Sequence, residues 1–196
     1  MNEKHIDYLI VGGGIAGTVL ALQLVQRGHR VHIYDKPQPM TASRVAAGII
    51  NPVTGQRFVK SWMYDDLIAA ASKFYAAYDT RWATSFFQST LIHRALFSKN
   101  ELNNFENREG DKHYEPYFSK EAATQKKNFR EAEEWCTIKG ARLDIAGFIL
   151  QAKNYLASKG HGIVKENFDY AQLSFNQSGV KYTCLLYTSP SPRDRG

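Results

Sequence analysis

The stretch Asp7–Asp35, DYLIVGGGIAGTVLALQLVQRGHRVHIYD, decides the fold. Tyr8 to Val11 is a short apolar run, as expected of a buried parallel strand. Gly12-Gly13-Gly14-Ile15-Ala16-Gly17 follows at once, and Leu20, Leu24 and Val25 then recur at helical spacing. Gly28 ends the predicted helix. Val31 to Tyr34 alternates as a second strand and stops at Asp35. Each small residue has a physical reason. Gly12 permits a tight strand-to-helix turn, Gly14 lets the backbone approach a pyrophosphate, and Gly17 lets the helix lie close on the strand, with Ala21 keeping that face small. Ile15 and Ala16 open the helix, whose first N–H groups and positive dipole end suit phosphate. Asp35, closing the second strand, is placed to accept hydrogen bonds from ribose hydroxyls, and Lys36 follows it. An acid there rather than an arginine argues against the 2′-phosphate of NADP. The pattern predicts a dinucleotide site in an α/β fold. A charged start and an apolar stretch also suit a signal peptide, but Asp7, the glycine cluster and the missing small-residue cleavage site speak against it.

Outward from this unit, the composition is globular. Hydrophobic residues make up 43% of the 196 and charged residues 22%, which excludes collagen, coiled-coil and low-complexity classes. Apolar runs such as Tyr8–Val11 are far shorter than the roughly 20 residues of a membrane helix, so no membrane span is expected. The net charge is +6, but the lysines and arginines are scattered, which reads as a mildly basic, solvated surface. The six histidines form no HExxH and no Cys–His grouping, so no metal site is expected. GxSxG, P-loop and CxxC motifs are absent as well.

The end of the sequence reads differently. Cys184 to Asp194, CLLYTSPSPRD, resembles translated read-through of a transposase-type sequencing adapter, and residues 184–196 are expected to be an artefactual tail. Only Cys136 then remains, and a lone cysteine fits a reducing, cytoplasmic compartment. Residues 1–183 are expected to be the N-terminal fragment of a longer protein.

A second small-residue segment follows the first strands: Met40-Thr-Ala-Ser-Arg-Val-Ala-Ala-Gly-Ile-Ile-Asn-Pro-Val-Thr-Gly55. Small Ala46, Ala47 and Gly48 would let backbone pass close to a flat ring system, and Ser43 and Arg44 could donate to pyrophosphate or ribityl oxygens. With this segment the chain resembles the D-amino-acid oxidase and glycine oxidase family of FAD-dependent oxidoreductases. The resemblance is specific over residues 6–62 and looser to Thr183. It implies FAD as cofactor, held by Gly12, Gly14, Ile15, Ala16, Gly17, Asp35, Lys36, Ser43, Arg44, Ala47 and Gly48. It implies a Rossmann-like FAD-binding domain and the beginning of an α+β substrate domain, both truncated. Residues 1–80 would be the N-terminal part of the first, and residues 81–183 a partial substrate domain with a return toward the first. It also implies oxidation of a C–N bond of a small amine or amino acid by hydride transfer to flavin. The family's later half supplies a third cofactor segment and the groups that hold substrate, so no catalytic residue is expected in this span and the truncated chain is expected to be inactive. Two alternatives stand beside this reading. One is the oxidase of a tRNA wobble-uridine modification, which belongs to the same family. The other is a non-redox dinucleotide-binding module.

Arg57 and Lys60 could hold a phosphate or a substrate carboxylate, or form a solvated basic edge. Ser61–Tyr78 has an apolar stripe of Met63, Leu67, Ala70, Ala71, Phe74 and Tyr78, which predicts an amphipathic helix. Phe86–Phe97 predicts a strand, Ser98–Arg108 a surface helix, Gly110–Phe118 a loop, and Glu131–Leu143 one or two strands around Gly140. Gly110-Asp111 resembles the pair with which flavoproteins hold the ribityl chain, but its polar, early setting reads as a turn. Asp144 is a predicted N-cap for a helix closed by Gly160. Ile163–Glu166 predicts a strand, and Leu173–Phe175 with Val180–Thr183 a hairpin. The aromatic run from Trp82 to Phe87 reads as core.

Overall fold

The computed structural model describes residues 6–36, 38, 40–121, 134–176 and 179–182. The tail from Cys184 onward lies outside the described residues. Contacts divide the chain into two compact units, Met1–Pro39 with Leu156–Gly196, and Met40–Tyr155.

The first unit is built on strand β1 (Tyr8–Val11), helix α1 (Ile15–Gln26) and strand β2 (Val31–Tyr34). These are the elements the opening stretch predicts. β1 and β2 pair in parallel, with Ile10 opposite Ile33. α1 ends where Gly28 takes φ +85° and donates its N–H to the Val25 carbonyl. The buried face of α1 is Thr18, Ala21 and Leu22, while Leu20 is 50% exposed. The small side chains turn inward because the helix lies too close to the strands for a row of leucines. After a long excursion the chain returns as β9 (Gly162–Val164), which pairs in parallel with β2, giving the sheet order β1-β2-β9. That is the third strand of a 3-2-1 half-sheet. It is shorter than the Ile163–Glu166 strand expected. Strands β10 (Leu173–Asn176) and β11 (Gly179–Tyr182) form the antiparallel hairpin, with Phe175 opposite Val180. Tyr34, Phe168 and Tyr182 pack as an aromatic trio, the last two stacked at 4.6 Å.

The second unit holds helix α2 (Ala42–Val45), strands β3 (Ile49–Ile50), β4 (Val53–Thr54), β5 (Val59–Lys60), β6 (Phe87–Leu96), β7 (Phe118–Ser119) and β8 (Glu134–Leu143), and helices α3 (Tyr64–Trp82), α4 (Lys99–Glu109) and α5 (Ile145–Ser158). The last three residues of α5 fall in the first unit. β8 is the centre of the sheet, paired antiparallel with β3, β6 and β7. Of the two options around Gly140 the single strand is the one present, and two other expectations are corrected here. Gly140 does not break β8: a Cβ there would stand 2.5 Å from Ile92 Cδ1 and 2.7 Å from the Ile50 carbonyl oxygen, so the missing side chain makes room for both neighbouring strands. The predicted loop at 110–118 contains a short 3-10 turn, Glu115–Tyr117, and β7. α3 starts and ends later than its stripe suggested. Met63 and Leu67 are exposed, and burial concentrates on Tyr75 and Tyr78.

Two clusters hold this unit together. One joins Val53, Phe58, Leu96, Phe105, Tyr117, Phe118, Cys136 and Ile138. The other gathers Tyr75, Trp82 and Phe86 around buried Phe148, with ring centroids 4.9, 5.7 and 5.9 Å away. Between α3 and β6 the Asp79 carboxylate accepts the N–H groups of Phe86 (2.8 Å) and Phe87 (3.2 Å) and the Thr84 hydroxyl. That pins the turn where Ala83 takes φ +53°. Asp144 caps α5, its side chain accepting from Gly147 N–H at 3.0 Å, and Ser98 caps α4.

Gly140→Ala is therefore expected to lower stability by about 1–3 kcal/mol, because the sheet must open around the added methyl. Thermal or denaturant unfolding of the purified chain checks this, and an unchanged midpoint would show that Ile92 can swing aside.

Candidate functional site

The glycine loop between β1 and α1 is tied at three points. Gly12 takes φ +101°, a conformation that side chains rarely adopt, and donates its N–H to the Tyr34 carbonyl at 2.8 Å. Gly13 donates its N–H to Asp35 Oδ1 at 2.9 Å. Thr18, fully buried, returns its hydroxyl to the Gly13 carbonyl at 3.3 Å. Gly17 completes the turn: a Cβ on it would lie 2.0 Å from the Gly12 carbonyl oxygen and 3.2 Å from Ile10 Cγ2. Only glycine fits.

α1 begins at this loop. Gly14 is its N-cap in an extended conformation, no side chain caps it, and its first turn holds no acidic residue. The start of an α-helix leaves N–H groups without intrahelical partners, and with the dipole they attract anions. Gly12 and Ala16 are exposed, while Gly14, Ile15 and Gly17 are half-buried, so the cradle is reachable. Asp35 stands at the end of β2, half-buried, with its N–H donated to the Val164 carbonyl at 2.9 Å. Lys36 beside it is exposed. A cradle that a Cβ would fill, an uncapped helix start and a carboxylate fixed to the loop fit the pyrophosphate and ribose of a dinucleotide. The loop tie through Gly13 and Thr18 was not expected from the sequence. Thr18 next to the last glycine, a polar residue on the helix face that must be buried, was its one signal.

Ser43, Arg44, Ala47 and Gly48 lie in the second unit. Ser43 and Arg44 belong to the single turn of α2, with Ser43 half-buried and Arg44 and Ala47 exposed. Gly48 has φ +71°, and a Cβ on it would meet the Leu143 carbonyl oxygen at 1.9 Å. Its glycine is thus required by the approach of β8, whose Leu143 N–H donates to the Gly48 carbonyl at 2.9 Å.

Lys60 is engaged within its own unit. Its ammonium meets Asp65 at 2.5 Å and sits 5.1 Å from the centre of the Tyr117 ring. Asp65 also accepts the Tyr117 hydroxyl at 2.7 Å. The hydrogen bond from Lys60 holds the Asp65 carboxyl below its ordinary range and raises Lys60 in turn. Arg57 is exposed, and its carbonyl accepts from Arg108 Nε. Gly110-Asp111 is a turn, with Asp111 Oδ1 accepting from His113 N–H at 2.9 Å.

Sequence reasoning also missed Arg94 and Glu101. The guanidinium pairs with the buried Glu101 carboxylate, donates to the Gly55 carbonyl at 2.9 Å and lies 4.5 Å from the centre of the Phe58 ring. The pair organises the β4–β5 hairpin against α4. Cys136 is buried in the same cluster, where loss of hydration pushes its thiol up to about 12. Among the described residues no group of three or more His, Cys, Asp or Glu side chains is placed to hold a metal, and no helix is long and apolar enough to cross a membrane.

Two outcomes follow. Gly17→Ala is expected to weaken FAD binding at least about tenfold, since the added methyl must displace the loop whose geometry fits a pyrophosphate; quenching of FAD fluorescence on titration measures it. Cys136 in the folded chain is expected to resist iodoacetamide at pH 8, because only the thiolate reacts, and to become modified on unfolding. Peptide mass mapping at Cys136 reads both states.

Comparison with known proteins shows the family and the fold. The family model described as DAO, FAD dependent oxidoreductase, matches residues 7–165. The uncharacterized oxidoreductase YurR of Bacillus subtilis (strain 168) is 41% identical over 56 residues, which is 29% of this chain and 15% of that protein. Glycine oxidase from Geobacillus kaustophilus superposes with a TM-score of 0.64 at 20% identity, over 89% of this chain and 50% of that one. L-Amino acid deaminase from Proteus myxofaciens gives 0.62 at 14% identity, over 91% of this chain and 44% of that one. At these identities the two structures speak for the fold. The chain spans about half the length of these solved relatives. With the family model covering the glycine loop, β2 and the return strand together, the chain belongs to the DAO family of FAD-dependent oxidoreductases.

Proposed function

We propose that this chain carries the nucleotide-holding portion of an enzyme that oxidises a C–N bond of a small amine or amino acid. The observation that carries the reading is the glycine cradle. Gly17 is packed against Gly12, and Gly13 is tied to Asp35. When bound, FAD supplies a two-electron acceptor for hydride from a carbon next to nitrogen. The share of these residues is to hold and orient. The start of α1 receives the pyrophosphate, and the Gly12–Gly17 turn lets it approach the backbone. Asp35 lies where the ribose hydroxyls of the adenosine half would donate, with Lys36 beside it. Ser43, Arg44, Ala47 and Gly48 are assigned as further cofactor contacts by resemblance. In the same reading residues 1–80 belong to the FAD-binding part, and residues 81–183 begin the substrate domain and lead back.

The substrate class rests on the names of the solved relatives, glycine oxidase and L-amino acid deaminase. A cytoplasmic setting is part of the proposal, because Cys136 is a free thiol.

The test uses protein expressed from the complete gene and loaded with FAD. Anaerobic addition of glycine, N-methylglycine or alanine is expected to bleach the visible flavin absorbance. Tight FAD binding with no bleaching by any amine would overturn the proposal and favour a non-redox dinucleotide-binding module. Bleaching only by tRNA bearing a carboxymethylamino group on its wobble uridine would identify the RNA-modifying oxidase instead.

A further inference from the structure

The first unit has a second concave feature, at the end of its sheet opposite the glycine loop. A cavity of about 260 Å³ is lined by Arg30, His32, Lys159 and His161 around Ile6. β2 and β9 both start at this rim, with His32 aligned with Gly162. A Cβ on Gly162 would meet the His32 ring at 2.4 Å, so glycine at that position keeps the imidazole flat against the neighbouring strand. His161 Nδ1 accepts the Val31 N–H at 3.4 Å. That contact selects the tautomer with hydrogen on Nε2 and leaves His161 a donor. Burial lowers its pKa, in keeping with a neutral ring.

We propose that this cavity is a binding site for a small tetrahedral oxyanion, either free phosphate or the phosphate of a monoester. Ordinary ligand pockets occupy about 300–1,000 Å³, so the space suits a compact anion better than a drug-sized molecule. The lining residues include an arginine, a lysine and two histidines, donor types that bind phosphate through charge-assisted hydrogen bonds, and His161 keeps its Nε2–H. Opposing charge is present as well. The Asp7 carboxylate accepts the Arg30 N–H at 2.7 Å, and α1 and α5 both direct their negative ends this way. In their last turns some carbonyls already accept backbone donors: Leu24 takes the N–H groups of Arg27 and His29, and Leu156 those of Lys159 and His161. Among the described residues, the Asp7 carboxylate and the half-charge at each helix end face Arg30 and Lys159 in the lining, with Arg27 nearby at the end of α1. The site is separate from the dinucleotide cradle, which lies at the other ends of the same strands.

The experiment follows the imidazole C–H resonances of the whole chain by NMR during titration with inorganic phosphate or methyl phosphate at constant ionic strength. His32 and His161 are expected to shift saturably while His93 and His113 stay fixed. The chain carrying both Arg30→Gln and Lys159→Gln is expected to bind about tenfold more weakly, whereas Arg27→Gln retains most of the affinity. Tighter binding of methyl phosphate identifies the monoester as the source, and tighter binding of inorganic phosphate the free ion. No saturable shift of either histidine, or undiminished affinity in the double variant, would overturn the proposal. Phosphate captured by the glycine loop alone would leave both histidines unmoved and would count against it.

Discussion

A carbonyl oxygen at Gly12 lies 2.0 Å from where a side chain at Gly17 would begin. That single close approach sets much of the first unit. It draws α1 onto β1 and β2, so small Gly17, Thr18 and Ala21 share the buried face with Leu22 while Leu20 stays exposed. It places the helix start directly beyond the strand end, where an anion can be received. The loop between them would otherwise be a run of three glycines with large conformational freedom. Its freedom is removed by backbone donors that already face the right way: Gly12 to Tyr34 and Gly13 to the Asp35 carboxylate. Asp35 therefore has a structural task, fixing the loop, alongside the ribose contact assigned to it. Its carboxylate is pre-oriented before any ligand arrives, which lowers the ordering cost of binding.

Much of this could be read in the amino acids. β1, α1 and β2 are local: strand, glycine turn and helix are each fixed by neighbours within thirty residues, and the pattern has few alternatives. The cap at Asp144 and the hairpin of β10 and β11 are readable for the same reason. What could not be read depends on residues far apart in sequence. Gly140 left one strand or two open because its reason to be glycine lies in Ile92 and Ile50 on neighbouring strands. Gly48 suggested a flat ligand, and its smallness is already required by Leu143, almost a hundred residues later. The stripe on α3 was drawn along the whole helix, yet only its later half meets Phe148. The Arg94–Glu101 pair was hidden because a polar stretch gives no hint that one carboxylate will be covered.

The two units divide the chemistry unevenly. The first has a glycine turn, an uncapped helix start and a fixed acid at the next strand's end, which together fit a dinucleotide. The second is held by an aromatic cluster around Phe148 and by Arg94 and Lys60 paired with carboxylates. Those two cations are engaged in the unit's own architecture. In the proposed function the redox chemistry would belong to the cofactor, and the part assigned to the glycine loop is placement.

The most direct test of that claim is amide hydrogen exchange over Gly12–Thr18 with and without FAD. If the loop receives the pyrophosphate, FAD slows exchange at the start of α1 and around Gly13, while the β6–β8 pairing in the second unit serves as the unchanged reference. Exchange over Gly12–Thr18 that is identical with and without saturating FAD would contradict the account.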